Sequence, residues 1–313
     1  MADGDRNLTR RDFLRGTAGA AVAGASVALA GKSDPAARPA GSPPAAPASG
    51  SVPASSTVVL VREAGVLDAN GRLVPEVLAS MLDRAVCELA GQADPVAAFK
   101  TFLKPADTLG IKTNVWRFLA TPPPLEQALR QRAIDCGIPA ARIAIDDRGV
   151  LENPVFRSAT ALINVRPMRT HHWSGVGSLL KNYIMFSPSP PDWHGDSCAD
   201  LGGLWKLPAC AGKTRLNVLV MLTPLYQSEG PHDFNAKYTW PYKGLIVSTD
   251  PVAADATGLR ILEAKRRAAF GTDQPFEVPP KHIRVAAEKF GLGVADPARI
   301  RLKKLGWTEE ALV

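Results

Sequence analysis

Two of the chain's five histidines, His171 and His172, are adjacent, and Lys181 with Asn182 follows shortly after. A neutral imidazole can act as a base or ligate a metal. A lysine at a cleft can bind an anion, or form a covalent adduct if its pKa is lowered. Ser174 is a good N-cap residue, so 175–186 is expected to form a helix whose N-terminus favours a bound anion. Gly175-x-Gly177 is not a dinucleotide fingerprint, because Leu180 stands where the third glycine belongs. Upstream, Lys112 and Asn114 alternate on one face at a strand's end, which suits a carboxylate or phosphate. Downstream, Asp192, His194 and Cys198 crowd one short stretch. Their spacing matches no standard zinc motif, and His194 is the candidate metal ligand there. Glu229, beside Gly230-Pro231, is a candidate general base or metal carboxylate. Asp250 is expected to cap a helix and also to contact the site, with Asp255 one turn in facing the same end.

The expected catalytic group is therefore His171, His172, Lys181 and Glu229. Lys112, Asn114, Asn182, Asp250 and Asp255 would bind the ligand. Trp116, Trp173, Trp193, Trp205 and Trp240 fall in the same span. Aromatic walls around a few polar groups describe a ligand pocket, and equally an ordinary core.

Those residues need elements to hold them. Buried strands are expected at 57–61, 108–113, 142–145, 159–165, 216–222 and 244–248, with a short one at 300–302. Helical periodicity appears at 73–89, 125–136, 250–267 and 282–290, with Gly137 a stop and Pro251 in a first turn. Strands alternating with helices argue for an α/β fold, with a mostly parallel or mixed sheet flanked by helices in one main domain. Ligands in such sheets bind beyond the carboxyl ends of strands. Lys112 with Asn114, Asp146 with Asp147, the two histidines and Asp250 all follow strand ends, so four distant segments are expected to converge.

Composition removes several function classes. Apolar residues make 46% of the chain, enough for a sizeable core, which excludes a disordered protein. The formal charge of +7 is mild. Basic residues between Arg260 and Lys304 are interleaved with Glu263, Glu277 and Glu288, which reads as solvated helix faces rather than a nucleic-acid stripe. No apolar run is long enough for a membrane span. Four cysteines exclude a disulfide scaffold. Cys198 and Cys210 share a loop-like region and could pair. Cys87 and Cys136 read as buried thiols on helices. No Cys-x-x-Cys is present, which argues against a ferredoxin-type iron–sulfur site.

The N-terminus reads as an address. Arg10-Arg11-Asp12-Phe13-Leu14 precedes an uncharged Ala/Gly/Val stretch ending at Gly31, the pattern of a twin-arginine signal peptide over 1–31. A Pro/Ala/Ser-rich linker at 32–56 leads into the α/β domain at 57–313. The expectation is a periplasmic or otherwise extracytoplasmic protein that meets the twin-arginine export machinery. Cargo of that route is folded first and often loaded with a metal or an organic cofactor.

These segments together resemble the bacterial and archaeal family of domain of unknown function 362. Gly110-Ile111-Lys112-Thr113-Asn114, Pro167-Met168-Arg169-Thr170-His171, Leu180-Lys181-Asn182, Glu229-Gly230-Pro231 and Ser248-Thr249-Asp250-Pro251-Val252-Ala253-Ala254-Asp255 carry the resemblance, which runs from about 57 to 295. Many members bear ferredoxin-like cysteine clusters. This chain lacks those cysteines, so that property does not transfer, and Arg169 stands where the family usually shows lysine. A second resemblance is confined to His171 through Lys181. It is similar to the His-to-Lys segment of the lactate racemase family, where the lysine carries a nickel-pincer nucleotide. That resemblance implies His171 as acid/base, Lys181 as attachment point and His194 as metal ligand; the family's second catalytic histidine has no clear counterpart.

The sequence thus points to an enzyme with a His/Lys/carboxylate cleft acting on or with a small anionic ligand, metal- or cofactor-dependent or neither. The rivals are an extracytoplasmic ligand- or metal-binding protein without turnover, a nickel-pincer acid/base enzyme, and an accessory protein for a redox system.

Overall fold

Apolar residues in the strand runs alternate between two hydrophobic clusters. Val58 and Leu60 enter one, while Val59 and Val61 enter the other. A strand buried on both faces must lie between two layers of helices. The computed structural model describes residues 54–228 and 234–313 and has that architecture. The signal-peptide expectation, most of the linker and Glu229 lie outside the described residues.

One eight-stranded mixed sheet forms the centre. Its strands are β1 (Ser56–Arg62), β2 (Leu109–Lys112), β3 (Ile143–Asp146), β4 (Ala161–His171), β5 (Gly175–Gly177), β6 (Thr214–Leu225), β7 (Gly244–Ser248) and β8 (Ile300–Gly306). The order is β3-β2-β4-β6-β7-β1-β8, with β5 folded back on β4. Strands β3, β2, β4 and β6 are parallel neighbours, as are β1 and β8. Strand β7 runs antiparallel to both β6 and β1.

On one face lie α1 (Pro75–Ala90), α2 (Pro95–Lys100) and α3 (Pro123–Asp135), packed through Leu78, Leu82, Phe99 and Leu129. On the other lie α4 (Leu179–Asn182), α5 (Pro251–Phe270) and α6 (Lys281–Glu288), packed through Leu179, Ile261 and Ile283. Proline opens α1, α2, α3 and α5, where its missing N–H costs nothing. Helix α2 was not expected from periodicity; Asp94 caps it by accepting from Ala97 N at 2.8 Å. Among the described residues no helix is long and apolar enough to cross a membrane. All four cysteines are free thiols, so Cys198 and Cys210 are not paired.

Three expectations are corrected. Strand β4 does not stop near 165 but continues through Arg166 to His171, because the fold covers those polar residues. The stretch 175–186 is not one helix capped by Ser174. Gly175 has a left-handed φ of 71°, which turns the chain into the β4–β5 hairpin, and Ser174 Oγ donates to Val176 O at 2.8 Å instead. Only then does α4 begin. Finally, Asp250 does not join the cleft. Its strand, β7, is antiparallel, so its carboxyl end points to the opposite edge from those of β2, β4 and β6. There Asp250 Oδ1 caps α5 by accepting from Val252 N at 2.8 Å and Ala253 N at 2.9 Å. Its Oδ2 accepts from Ser56 Oγ and from Val294 N at 2.9 Å.

A buried polar row crosses the middle of the sheet. Lys112, fully buried, donates through Nζ to Asp147 Oδ1 at 2.5 Å, to Thr113 O at 2.7 Å and to Asn182 Oδ1 at 3.3 Å. Asn182 Nδ2 donates to Asn164 Oδ1 at 2.9 Å and to the carbonyls of Lys112 and Val165. Asn164 Nδ2 passes the chain to Leu179 O and Asn217 Oδ1, and Asn217 Nδ2 ends it on the Ser248 and Thr249 carbonyls. Burial would push Asp147 up, but the Lys112 charge and the Val115 N–H override it and hold the carboxyl below its ordinary range. The pair is therefore charged at neutral pH.

Two predictions follow from this packing. A Cβ on Gly175 would sit 2.3 Å from Val278 O, so Gly175→Ala should cost about 1–3 kcal/mol in denaturant unfolding. Asp147→Asn leaves the Lys112 ammonium buried without its counter-ion and should cost about 3–5 kcal/mol, whereas Lys112→Met combined with Asp147→Leu should cost clearly less.

Candidate active site

Arg166 and Arg169 are three residues apart on β4, an odd spacing that would put them on opposite faces of a regular strand. The β4–β6 pairing shifts register between Pro167 and Arg169. Both arginine side chains pack against Gly177 of β5, whose missing Cβ would lie 2.7 Å from Arg166 Nη2 and 3.5 Å from Arg169 Cγ. Glycine is needed there because any side chain would displace the arginine.

Both arginines are nearly out of water, at 3% and 7% exposed. Neither makes a hydrogen bond among the described residues, and both Nε atoms are buried without a partner. Arg169 lies over the Trp116 ring, 4.0 Å from its centroid. Trp116 in turn meets Phe118 and Phe234 edge-on. Burial lowers Arg166 to about 10 despite Asp147 and Asp255. Burial and then repulsion from Arg166 lower Arg169 further.

Lys181 of α4 is the third cation, 4% exposed. Its Nζ donates to Cys198 Sγ at 3.6 Å and to nothing else described. Burial, with Arg166 and Arg169 adding repulsion against the pull of Cys198, lowers it to about 8. The nearby acids do not neutralise this group. Asp147 is held by Lys112. Asp255, fully buried, accepts from Ser178 Oγ at 2.6 Å and from Leu179 N and Leu180 N at 2.9 Å, filling the start of α4. Burial pushes Asp255 up to about 7 even so. The α4 N-terminus is thus closed by the protein's own carboxylate and is not an anion seat.

The hairpin turn after β4 carries the imidazoles. His171 and His172 stack with ring centroids 4.8 Å apart, His172 meets Trp173 at 4.3 Å, and Trp173 meets His194 at 4.1 Å. His171 Nδ1 accepts from Trp173 N at 3.2 Å, which leaves the ring proton on Nε2. Burial first, then Arg169, Lys181 and Arg166, hold His171 well below its ordinary value, so it is neutral near pH 7. Burial and Lys181 lower His194 to about 4.

Beside these rings lies a cavity of about 210 Å³, walled by Thr170, His171, His172, Gln227, Arg266 and Phe276. Arg266 fixes its far wall. It donates to the carbonyls of Tyr226, Gln274 and Pro275 and to the Gln227 side chain, and it packs 4.6 Å from the Phe276 ring centroid. A larger groove of about 860 Å³ lies against α1, but it shares no residue with this constellation and is open.

Of the expected site residues, the fold gathers His171, His172, Lys181 and His194 beside the two arginines. Lys112 and Asn182 belong to the polar row, where their donors are already taken. Asn114 sits just beyond, half-buried, with Oδ1 unpartnered. Asp255 buttresses α4 and faces Arg166. Arg166 and Arg169 were given no site role from sequence, whereas Asp147 and Cys198 were noted only as members of polar clusters. The two arginines had a signal: they interrupt an apolar strand whose neighbours are all buried. Among the described residues no three His, Cys, Asp or Glu side chains gather as metal ligands.

No curated protein and no solved structure matches the chain. A family match does exist, over a narrower span than the sequence resemblance. It takes in β4, β5, α4, β6, β7 and the first half of α5, and leaves Lys112 and Asp147 outside. The stretch that supplies both arginines, the paired histidines and Lys181, residues 149–260, matches the family described as Domain of unknown function (DUF362).

Proposed function

We propose that this protein is an exported enzyme that binds a small anionic substrate at Arg166, Arg169 and Lys181 and moves a proton with His171. The observation that carries the reading is charge imbalance. Two guanidinium groups and an ammonium are buried together, and among the described residues the guanidinium groups have neither a hydrogen bond nor an ion-paired carboxylate. Guanidinium does not shed its proton at neutral pH, so such burial is costly until an anion arrives. A carboxylate or phosphate would accept both forks. His171, neutral and carrying its proton on Nε2, supports general acid/base work beside that anion. The cavity of about 210 Å³ beside His171, which none of the three cations lines, has room for a ligand of few heavy atoms.

The lactate racemase resemblance would add a nickel-bearing group on Lys181. Lys181 and His194 interact electrostatically, but among the described residues no three His, Cys, Asp or Glu side chains gather as metal ligands. Elemental analysis and intact mass of protein recovered from its exporting host decide it: bare mass without nickel removes that reading.

The anion reading is tested by thermal unfolding with phosphate, sulfate, acetate and lactate. A ligand at 100 times its Kd should stabilise the native state by about 2.7 kcal/mol. Arg169→Gln should abolish that gain while leaving the ligand-free protein as stable as before or more so, since it removes an unpaired buried charge. Loss of ligand-free stability with the anion response intact would make the arginines structural and overturn the reading. In a bound complex, His171→Ala should keep affinity and lose turnover; loss of affinity alone would favour a binding protein.

Export is part of the same proposal. Changing Arg10 and Arg11 to lysine should leave the unprocessed chain in the cytoplasmic fraction on an immunoblot. Unchanged secretion of that variant would refute the twin-arginine route.

A further inference from the structure

Lys181 has an unusual set of neighbours for a lysine. From β4 it faces Arg166, Arg169 and His171. From the segments beyond α4 it faces the Cys198 thiol and His194, and from α6 it faces His282, whose ring nitrogens are both buried without a hydrogen bond. None of these is a carboxylate. A thiol at 3.6 Å is a weak acceptor and does not anchor an ammonium. A primary amine that is dehydrated, surrounded by cations and neutral rings, and set beside two arginines free to hold a carboxylate is placed as a nucleophile rather than as a counter-ion.

We propose that Lys181 forms an imine with the carbonyl carbon of a small 2-oxo acid whose carboxylate is held by Arg166 and Arg169. The inference rests on the anion-site reading and names the substrate class of that site. The free amine donates its lone pair to the carbonyl carbon, forming the N–C bond, while the carbonyl π pair moves to oxygen. That oxygen takes a proton and the nitrogen loses one, giving a carbinolamine. The nitrogen then loses its second proton, and the hydroxyl takes one and leaves as water. The sum is amine plus carbonyl giving imine plus water, with no oxidant or reductant. His171, with its proton on Nε2 and Nδ1 held by Trp173, is the neighbouring acid/base for these transfers. The imine turns the attached carbon skeleton into an electron sink, which serves proton removal or cleavage next to the former carbonyl.

Burial and the two arginines lower the Lys181 ammonium to about 8. The free-amine fraction, and with it the rate of adduct formation, should therefore rise through pH 8 and level off above it, well below the range where exposed lysines titrate.

The test is reductive trapping on the full purified chain. Pyruvate and cyanoborohydride are added from pH 6 to pH 9, followed by intact mass and peptide mapping. The expected result is one reduced pyruvate per chain, on the peptide containing Lys181, with the pH profile above. Arg169→Gln should lower the trapping rate at least tenfold, and Lys181→Arg should abolish the adduct. Adducts spread over exposed lysines with Lys181 unlabelled would overturn the imine. So would labelling of Lys181 by acetaldehyde as fast as by pyruvate, because the arginines would then play no part. Because the mapping is read on the wild-type chain, a variant that fails to fold leaves the test intact. Stabilisation by lactate or phosphate with no Lys181 adduct sinks the imine and leaves the anion reading standing; absence of both sinks the two together.

Discussion

A lysine with no access to water must be paired, and this fold is arranged around that requirement at Lys112. Its ammonium cannot be hydrated at the end of β2, so Asp147 from beyond β3, the Thr113 carbonyl and the Asn182 amide surround it. Each partner comes from a different element. Satisfying one buried charge therefore fixes β2 against β3 and places α4 above β4. Asn182, Asn164 and Asn217 extend the same logic across the sheet, each amide meeting the donor or acceptor the previous one leaves. A half-satisfied network of this kind would be worse than an apolar core. Complete, it specifies one register for the strands on either side.

The cationic group next to it breaks the rule that the polar row obeys. Arg166, Arg169 and Lys181 are buried nearly as thoroughly as Lys112, yet among the described residues no carboxylate pairs with them. Among the described residues, Asp147 is occupied by Lys112 and Asp255 by the first turn of α4. Stability alone would not select that arrangement. A site prepared for an anionic ligand would, because the cost of dehydrating the cations is met before the ligand arrives.

Small geometric devices make the juxtaposition. A register irregularity lets two arginines at odd spacing share one side of β4. Gly177 leaves space for the Arg166 guanidinium and the Arg169 stem. Gly175 turns the chain so that the two histidines top a hairpin, and its lack of a side chain lets the Val278 carbonyl approach closely. Arg266 uses neutral carbonyls to hold the 274–276 segment as the cavity's far wall.

Much of the framework was legible in residue order because it depends on local periodicity. The strand at β1, the helices α1, α3 and α5, and the α/β alternation follow from side chains that must leave water on one or both faces. The prominence of His171, His172 and Lys181 was also visible, since polar residues just beyond a buried strand have few structural uses. Three things were not visible. The direction of β7 removed Asp250 from the cleft, and direction is set by which neighbour a strand pairs with. The roles of Lys112 and Asn182 depended on partners 35 and 70 residues away in the chain. Arg166 and Arg169 became neighbours only through a shift in pairing with β6. Local patterns determine which residues are buried and which elements form. Which charges meet, and which are left without a partner, is decided by long-range pairing, because electrostatic balance is a property of positions in space and not of positions in the chain.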